Sequence, residues 1–477
     1  MNNKILAVDL DGTLIRSDLL VEGLLKLILR KPWITIPLIF KLFQGKAAFK
    51  NYIASVADID CINLPYNNKV IAFIKEQKQN GAYLILCTAS NYRYAEKIFQ
   101  YLKIFNEVMA SDANLNLSGK NKSQALIEKF GVGGFDYIGN SPDDFAVWAN
   151  ASKAILVRPT REIHKKIKKI NANFEILDSD SITDLSKIIS MLRPHQWLKN
   201  LLIFLPFLTA TDYTPNLETF FKLLFAFMSF SICASSVYIL NDLSDIESDR
   251  EHIRKRFRSL ASGGVQIYLA AIILPVLFSL SLMIAYFLPV KFFFILGAYF
   301  FLTILYSFSL KKMVLIDCFM LAILYTIRIV AGAIALNLDL TFWLLLFSFT
   351  FFLSLSFVKR ASELHVIGGV SVDKIRGRGY TVKDYEFIQC LGICSGVASV
   401  LLFALYLNTP RAIEVYLNHQ LSILSIPILL FWISRVWLCT QRGQMHDDPV
   451  IYAVKDPISI CCGAIFVMIL AIARFGI

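Results

Sequence analysis

The chain has 477 residues with a formal net charge of +12, and 56% of them are hydrophobic. That hydrophobicity argues against an all-soluble protein, and the length against a single small domain. The positive surplus speaks to membrane orientation, so no nucleic-acid partner is expected. Nine scattered cysteines without a CxxC pair argue against a disulfide or metal framework and predict small core residues.

Residues 1–190 alternate polar and apolar as a soluble domain does. The opening MNNKILAVDLDGT lacks the basic region, apolar core and cleavage site of a signal peptide and predicts a mature cytosolic start. KILAVDLDGTL predicts an apolar strand ending in two carboxylates, Asp9 and Asp11, which alternation along a strand points the same way. A helical insertion over about 15–80 predicts a small cap. It holds PWITIPLIFKLF, flanked by Lys31 and Lys46 and too short to span; the stretch suits either a membrane surface or the core of the cap. YLILCTAS predicts a second strand reaching Thr88. GKNKSQAL follows with Lys122 (Lys120 is a second candidate), and FDYIGNSPDD supplies Asn140, Asp143 and Asp144.

These four pieces, in this order, resemble the haloacid dehalogenase (HAD) phosphatases. The resemblance implies a Rossmann-like α/β domain over 1–160 in which Asp9 attacks phosphorus and Asp11 serves as acid and base. It also implies that Thr88 and Lys122 hold the transferring phosphoryl group, and that Asp9, Asp11, Asn140 and Asp144 surround Mg2+. One departure stands out. The family has Asp where this chain has Asn140, which lowers the charge of the metal site by one and allows a slow, substrate-restricted or binding-only domain.

Residues 161–192 are charged, helical near their start and read as a linker, with a basic run suited to anionic headgroups. From there to 477 the chain is apolar runs of roughly 20 residues, long enough to cross about 30 Å of hydrocarbon. Nine spans are expected, near 198–212, 219–240, 265–288, 292–310, 314–336, 340–358, 386–407, 420–439 and 456–475. The connections after the second, fourth, sixth and eighth carry the cations, including REHIRKRFR and KRASELHVIGGVSVDKIRGRGYTVK; the others hold only Lys291 and Arg411. That asymmetry puts the even connections and the N-terminal domain in the cytoplasm of a multi-pass plasma-membrane protein.

The second span runs into NDLSDIESDREHIRKRF. If the helix continues, Asn241, Asp245 and Asp249 share one face, with Asp242 one position over. Clustered carboxylates repel one another unless a cation sits among them, and hard oxygen ligands suit Mg2+. Arg254, Lys255, Arg256 and Arg258 follow, then SLASGG, which is chemistry suited to phosphate oxygens. Inside the fifth span, Asp317, Tyr325 and Arg328 lie on nearby faces of an apolar helix, where charge is costly and faces a cavity or a partner. Tyr325 and Arg328 are placed in a polar cavity, and Asp317 either beside the metal or ribose or paired with Arg328. Lys199, just after His195 and Gln196, either binds phosphate or anchors at the interface. Asp447 and Asp448 read equally as a metal or ribose site and as a helix cap.

NDLSDIESD resembles the NDxxDxxxD motif of the UbiA superfamily of intramembrane prenyltransferases, an all-α polytopic fold. RPHQWLKN, YSFSLKKMVLIDCFMLAILYTIRIVAG and DDPVIYAVKD are similar to the branch with decaprenyl-phosphate phosphoribosyltransferases. Quinone-type members carry a second Asp-rich motif after the sixth span, where this chain reads FVKRASEL. Lys359 and Arg360 there suit a lipid monophosphate. The resemblance implies a bifunctional enzyme in the lipid bilayer. Its membrane half moves 5-phosphoribosyl from phosphoribosyl pyrophosphate to a polyprenyl phosphate, with Mg2+ and with Asp245 and Asp249 at the centre. Its HAD half acts on the ribose 5-phosphate or serves as a docking module, and an oligomer is compatible. Two rivals fit the same residues: prenyl transfer from a diphosphate, against which the missing second motif counts, and a transporter, against which the acids at the cytoplasmic mouth count.

Overall fold

The computed structural model describes residues 4–30, 32–112, 115–180, 184–209, 216–368, 378–445 and 448–475. They form two compact units, one of 1–193 with 238–275 and one of 194–237 with 276–477.

In the first unit six parallel strands lie in the order β3-β2-β1-β4-β5-β6. They are β1 (Ile5–Val8), β2 (Tyr83–Asn91), β3 (Glu107–Ser111), β4 (Asp136–Gly139), β5 (Lys153–Val157) and β6 (Phe174–Asp178). Strand alternation divides the core in two. Leu6, Val8, Leu84, Leu86 and Ile138 face one layer, while Ala7, Ile85, Cys87 and Tyr137 face the other. Because both faces are covered, the strands read as continuous apolar runs. The chain reverses direction across the sheet beside β1, and in such sheets ligands bind outside the carboxyl ends of the strands at that point. Asp9 directly follows β1 and Asn140 directly follows β4.

The cap is three helices, α1 (Leu19–Arg30), α2 (Thr35–Phe43) and α3 (Lys46–Val56). They close on Leu27, Leu38, Ile53 and Ala57. The stretch Tyr238–Pro275 belongs to the same unit. Arg250 donates from Nη1 and Nη2 to Glu22 of α1 at 2.9 and 2.7 Å, with both side chains buried. Arg250 Nε reaches the Ala261 carbonyl at 3.2 Å. Glu247 takes Lys26 and Arg30 at 2.7 and 2.6 Å. Gly263 lies so close to Arg16 that a Cβ would meet its backbone oxygen at 2.7 Å.

Eight helices of the described residues are long and apolar enough to cross a membrane. They correspond to the second through ninth expected spans. The first expected span differs: Pro194–Phe204 is a 3-10 helix of 11 residues, continued by the short α-helix Leu205–Thr209. The cause lies in the Ile316–Ala335 helix. A Cβ on Gly332 would sit 1.9 Å from the Ile203 carbonyl oxygen, so the two backbones touch with no side chain between them. The narrower 3-10 winding permits that approach. Eleven such residues at about 2.0 Å each, with five α residues at about 1.5 Å, still extend about 30 Å. Residues 210–212 of that expected span lie outside the described residues.

Candidate active sites

In the first unit, Lys122 is buried and donates to Asp9 Oδ1 at 2.7 Å and to Tyr137 at 2.8 Å. Thr13 donates towards Asp9 Oδ2 at 3.4 Å and Asn140 Oδ1 at 3.2 Å. Burial pushes the Asp9 carboxyl up to about 6, against the lowering pull of Lys122 and with Asp144 adding to the rise. Asp11 takes the Leu19 amide at 2.9 Å and the Ser90 hydroxyl at 2.5 Å, which ties it to the start of the cap. Burial, with Asp18 nearby, pushes Asp11 up to about 8. The Thr88 hydroxyl is buried and accepts from the Ser90 amide at 3.0 Å.

The metal residues expected here fit poorly. Asp144 Oδ2 takes the amides of Asn140 and Ser141 at 3.0 and 2.9 Å and the Ser141 hydroxyl at 3.1 Å. Its other oxygen takes Tyr137 at 2.7 Å. Asp144 therefore shapes the loop, and Asn140, leaning over Gly12, brings no charge.

The same unit holds the acid-then-base stretch. The Leu217–Ser244 helix ends beside Asp245, and a short helix, Ile246–Glu251, follows. The i to i+4 pattern continues through the joint: Asp245 N bonds Asn241 O at 2.9 Å, and Asp249 N bonds Asp245 O at 2.8 Å. Asn241, Asp245 and Asp249 are thus stacked along one face. Arg258 is clasped by Asp242 at 3.3 Å and Asp249 at 2.7 Å. Asp242 also pairs with Arg193. Arg254, Lys255 and Arg256 are exposed. Asn241 Oδ1 is buried with no hydrogen-bond partner among the described residues, which is costly unless a cation or donor reaches it. That orphaned oxygen on an acidic face fits a divalent cation held by Asn241, Asp245 and Asp249.

In the second unit, three of the expected residues converge on a fourth. Lys199 Nζ donates to Asp448 Oδ2 at 2.6 Å, Lys359 Nζ reaches the same oxygen at 3.4 Å, and the Tyr325 hydroxyl donates to Oδ1 at 3.3 Å. Burial raises the Asp448 carboxyl, but Lys359 and Lys199 outweigh it and hold the group well below the usual carboxylate range. Asp448 also accepts the Val450 amide at 3.2 Å, capping the Pro449–Lys455 helix, so the cap reading and a site reading hold together. Asp447 lies outside the described residues. Arg328 stacks on Tyr325 and Tyr299, with ring distances of 5.5 and 5.1 Å, and donates to Asn200 at 2.8 Å.

Two expected placements differ. Asp317 is fully buried and pairs with Arg360 at 2.6 Å and Arg378 at 3.4 Å, with the Tyr380 hydroxyl also donating to it at 2.5 Å. Its partner is therefore Arg360 and not Arg328. Arg360 is itself fully buried and also joined to Glu363, so it fastens helices together where Lys359 reaches the cluster. Asn200, Tyr299 and the pairing of Asp448 were not visible as site residues.

The profile described as the UbiA prenyltransferase family matches residues 201–365. An uncharacterized protein of Sinorhizobium fredii, y4nM, is 33% identical over 96% of this chain and 89% of its own. A decaprenyl-phosphate phosphoribosyltransferase of Mycobacterium tuberculosis is 34% identical over 46% of this chain and 73% of its own. A solved UbiA homolog from Archaeoglobus fulgidus, bound to GPP and Mg2+, is 16% identical with a TM-score of 0.46, covering 60% of this chain and 99% of that one. The sequence matches decide the matter: the chain belongs to the UbiA prenyltransferase family, as a transferase whose apolar helices follow an α/β domain.

Proposed function

We propose that this protein transfers 5-phosphoribosyl from phosphoribosyl pyrophosphate to a polyprenyl phosphate, and that its HAD-like domain then removes the 5-phosphate. The observation that carries the reading is the pair of lysines, Lys199 and Lys359, on Asp448. Two ammonium groups converging on one carboxylate form an anion site neutralised from within, and a lipid monophosphate satisfies the same lysines. The name of the Mycobacterium tuberculosis relative, a decaprenyl-phosphate phosphoribosyltransferase, supports phosphoribosyl transfer to a polyprenyl phosphate.

In the transfer, an oxygen of the lipid phosphate attacks C1 of the ribose, and the bond from C1 to pyrophosphate breaks. Lys199, Lys359 and the Tyr325 hydroxyl hold the lipid phosphate, and Arg328 keeps the Tyr325 ring in place. Arg254, Lys255 and Arg256 bind the 5-phosphate of the ribose. Arg258, held by Asp242 and Asp249, is a further cation for the phosphate groups of the donor. Asn241, Asp245 and Asp249 would hold Mg2+, which would supply charge neutralisation for the departing pyrophosphate. In the α/β domain, Asp9 attacks the 5-phosphate while Asp11 protonates the leaving hydroxyl, with Lys122 and Thr88 holding the phosphoryl oxygens. Water then releases inorganic phosphate from Asp9. Both steps are assigned to the cytoplasmic side of the plasma membrane.

The test is incubation of purified protein with Mg2+, radiolabelled phosphoribosyl pyrophosphate and polyprenyl phosphate. Label should enter the lipid phase, and its absence overturns the proposal. Asp9→Asn should leave transfer intact with the 5-phosphate still on the lipid. Asp245→Asn should abolish transfer without changing membrane insertion.

A further inference from the structure

The cap carries an apolar face that the catalytic reading does not use. Ile34 and Leu38, one turn apart, pack inward among Leu27, Ile53 and Phe49. Trp33, Ile36, Phe40, Leu42 and Phe43 instead project outward, each between 56% and 84% exposed. A helix apolar all round is normally buried, and contiguous exposed aromatic and aliphatic groups mark an interaction surface. Helix α2 has nine residues, about 14 Å, too short to cross a bilayer.

We propose that α2 is an in-plane membrane anchor, lying in the lipid headgroup and acyl boundary with Trp33, Ile36, Phe40 and Phe43 in the lipid. Charge selects lipid over a second protein chain as the occupant. Between Glu22 and Asp58 the sequence has no acidic residue and six basic ones: Lys26, Arg30, Lys31, Lys41, Lys46 and Lys50. Lys41 lies on α2 itself, with its ammonium 2.8 Å from Gln44. Glu247 pairs with Lys26 and Arg30, which leaves Lys31, Lys41, Lys46 and Lys50 as the cationic surplus in the sequence around α2, and a short apolar helix with aromatic groups on one side and such a surplus matches an anionic headgroup layer. Lipid is also present wherever the eight apolar helices of this chain fold. The occupant is therefore the bilayer surface, and the cap is the element that meets it.

The test uses the full chain in vesicles of phosphatidylcholine and phosphatidylglycerol that contain lipid spin-labelled near the headgroup end of the acyl chain. The sequence has six tryptophans, so the Trp33 contribution is the difference between wild type and Trp33→Phe. That component should be quenched at least twofold by the lipid label and be little affected by aqueous iodide. Phe40→Asp combined with Phe43→Asp should reverse the two sensitivities, while circular dichroism stays unchanged. Quenching by iodide alone in the wild type would place the face in water and overturn the proposal. Protection from both quenchers would mean that a second copy or other protein covers it, and would overturn it too.

Discussion

Replacing Glu22 with Leu removes the only carboxylate that Arg250 holds in a buried bidentate pair, leaving the guanidinium with the Ala261 carbonyl alone among the described residues. Breaking a buried pair from one side costs about 3–5 kcal/mol because an uncompensated charge stays inside. The carbonyl bond places this case near the lower end, about 3 kcal/mol, or roughly a hundred-fold in an opening equilibrium. The neighbouring Lys26 and Arg30 pairs with Glu247 are more exposed and contribute only about 0.2–1 kcal/mol each. Hydrogen exchange read by mass spectrometry over 19–30 and 246–264 should therefore show protection falling roughly a hundred-fold in Glu22→Leu. Adding Arg250→Met should return protection to within about 1 kcal/mol of wild type, since an apolar pair replaces a buried ionic one at little cost. An unchanged single variant, or a double variant as damaged as the single, would refute the reasoning.

Three further outcomes follow from the sites. Phosphate release by the α/β domain should be bell-shaped in pH: it rises through about 6 as Asp9 ionises and falls through about 8 as Asp11 loses the proton it must donate. A rate still climbing above that upper limb in stopped assays would remove Asp11 as the acid. Lys199→Met should raise KM for polyprenyl phosphate roughly ten- to hundred-fold, the worth of about 1.5–3 kcal/mol of charged hydrogen bond, and leave KM for phosphoribosyl pyrophosphate unchanged. Equal changes in both constants would contradict the assignment. Gly332→Val should cost about 3 kcal/mol or more by forcing the 3-10 segment off its helix, seen as a lower Tm in detergent; an unchanged Tm would disprove the backbone contact.

What was legible in the sequence was local. The apolar strand before Asp9 and the eight long apolar helices of the described residues are patterns of run length and bulk hydropathy, which a single chain displays openly. The stacking of Asn241, Asp245 and Asp249 is a helical repeat of the same kind. Distant partners were not legible. Lys199 and Asp448 are 249 positions apart, and Glu22 and Arg250 are 228 apart. Asp317 paired with Arg360 rather than Arg328 because a neighbouring helix offered a better-placed guanidinium, which no spacing rule within one helix reveals. The 3-10 winding of Pro194–Phe204 escaped because its cause, the missing side chain of Gly332, lies far downstream.

That downstream cause bears on how the protein is made. Asn200 bonds Ser231 and Arg328, and the second partner enters the chain 128 residues later. At about 5–20 residues per second of synthesis, Asn200 and the backbone around Ile203 wait roughly 6–26 s for Arg328 and Gly332. During that interval the first apolar stretch has no groove to occupy. The insertion machinery must therefore shelter it, and the first apolar stretch of the membrane half to leave the ribosome is among the last to find its place.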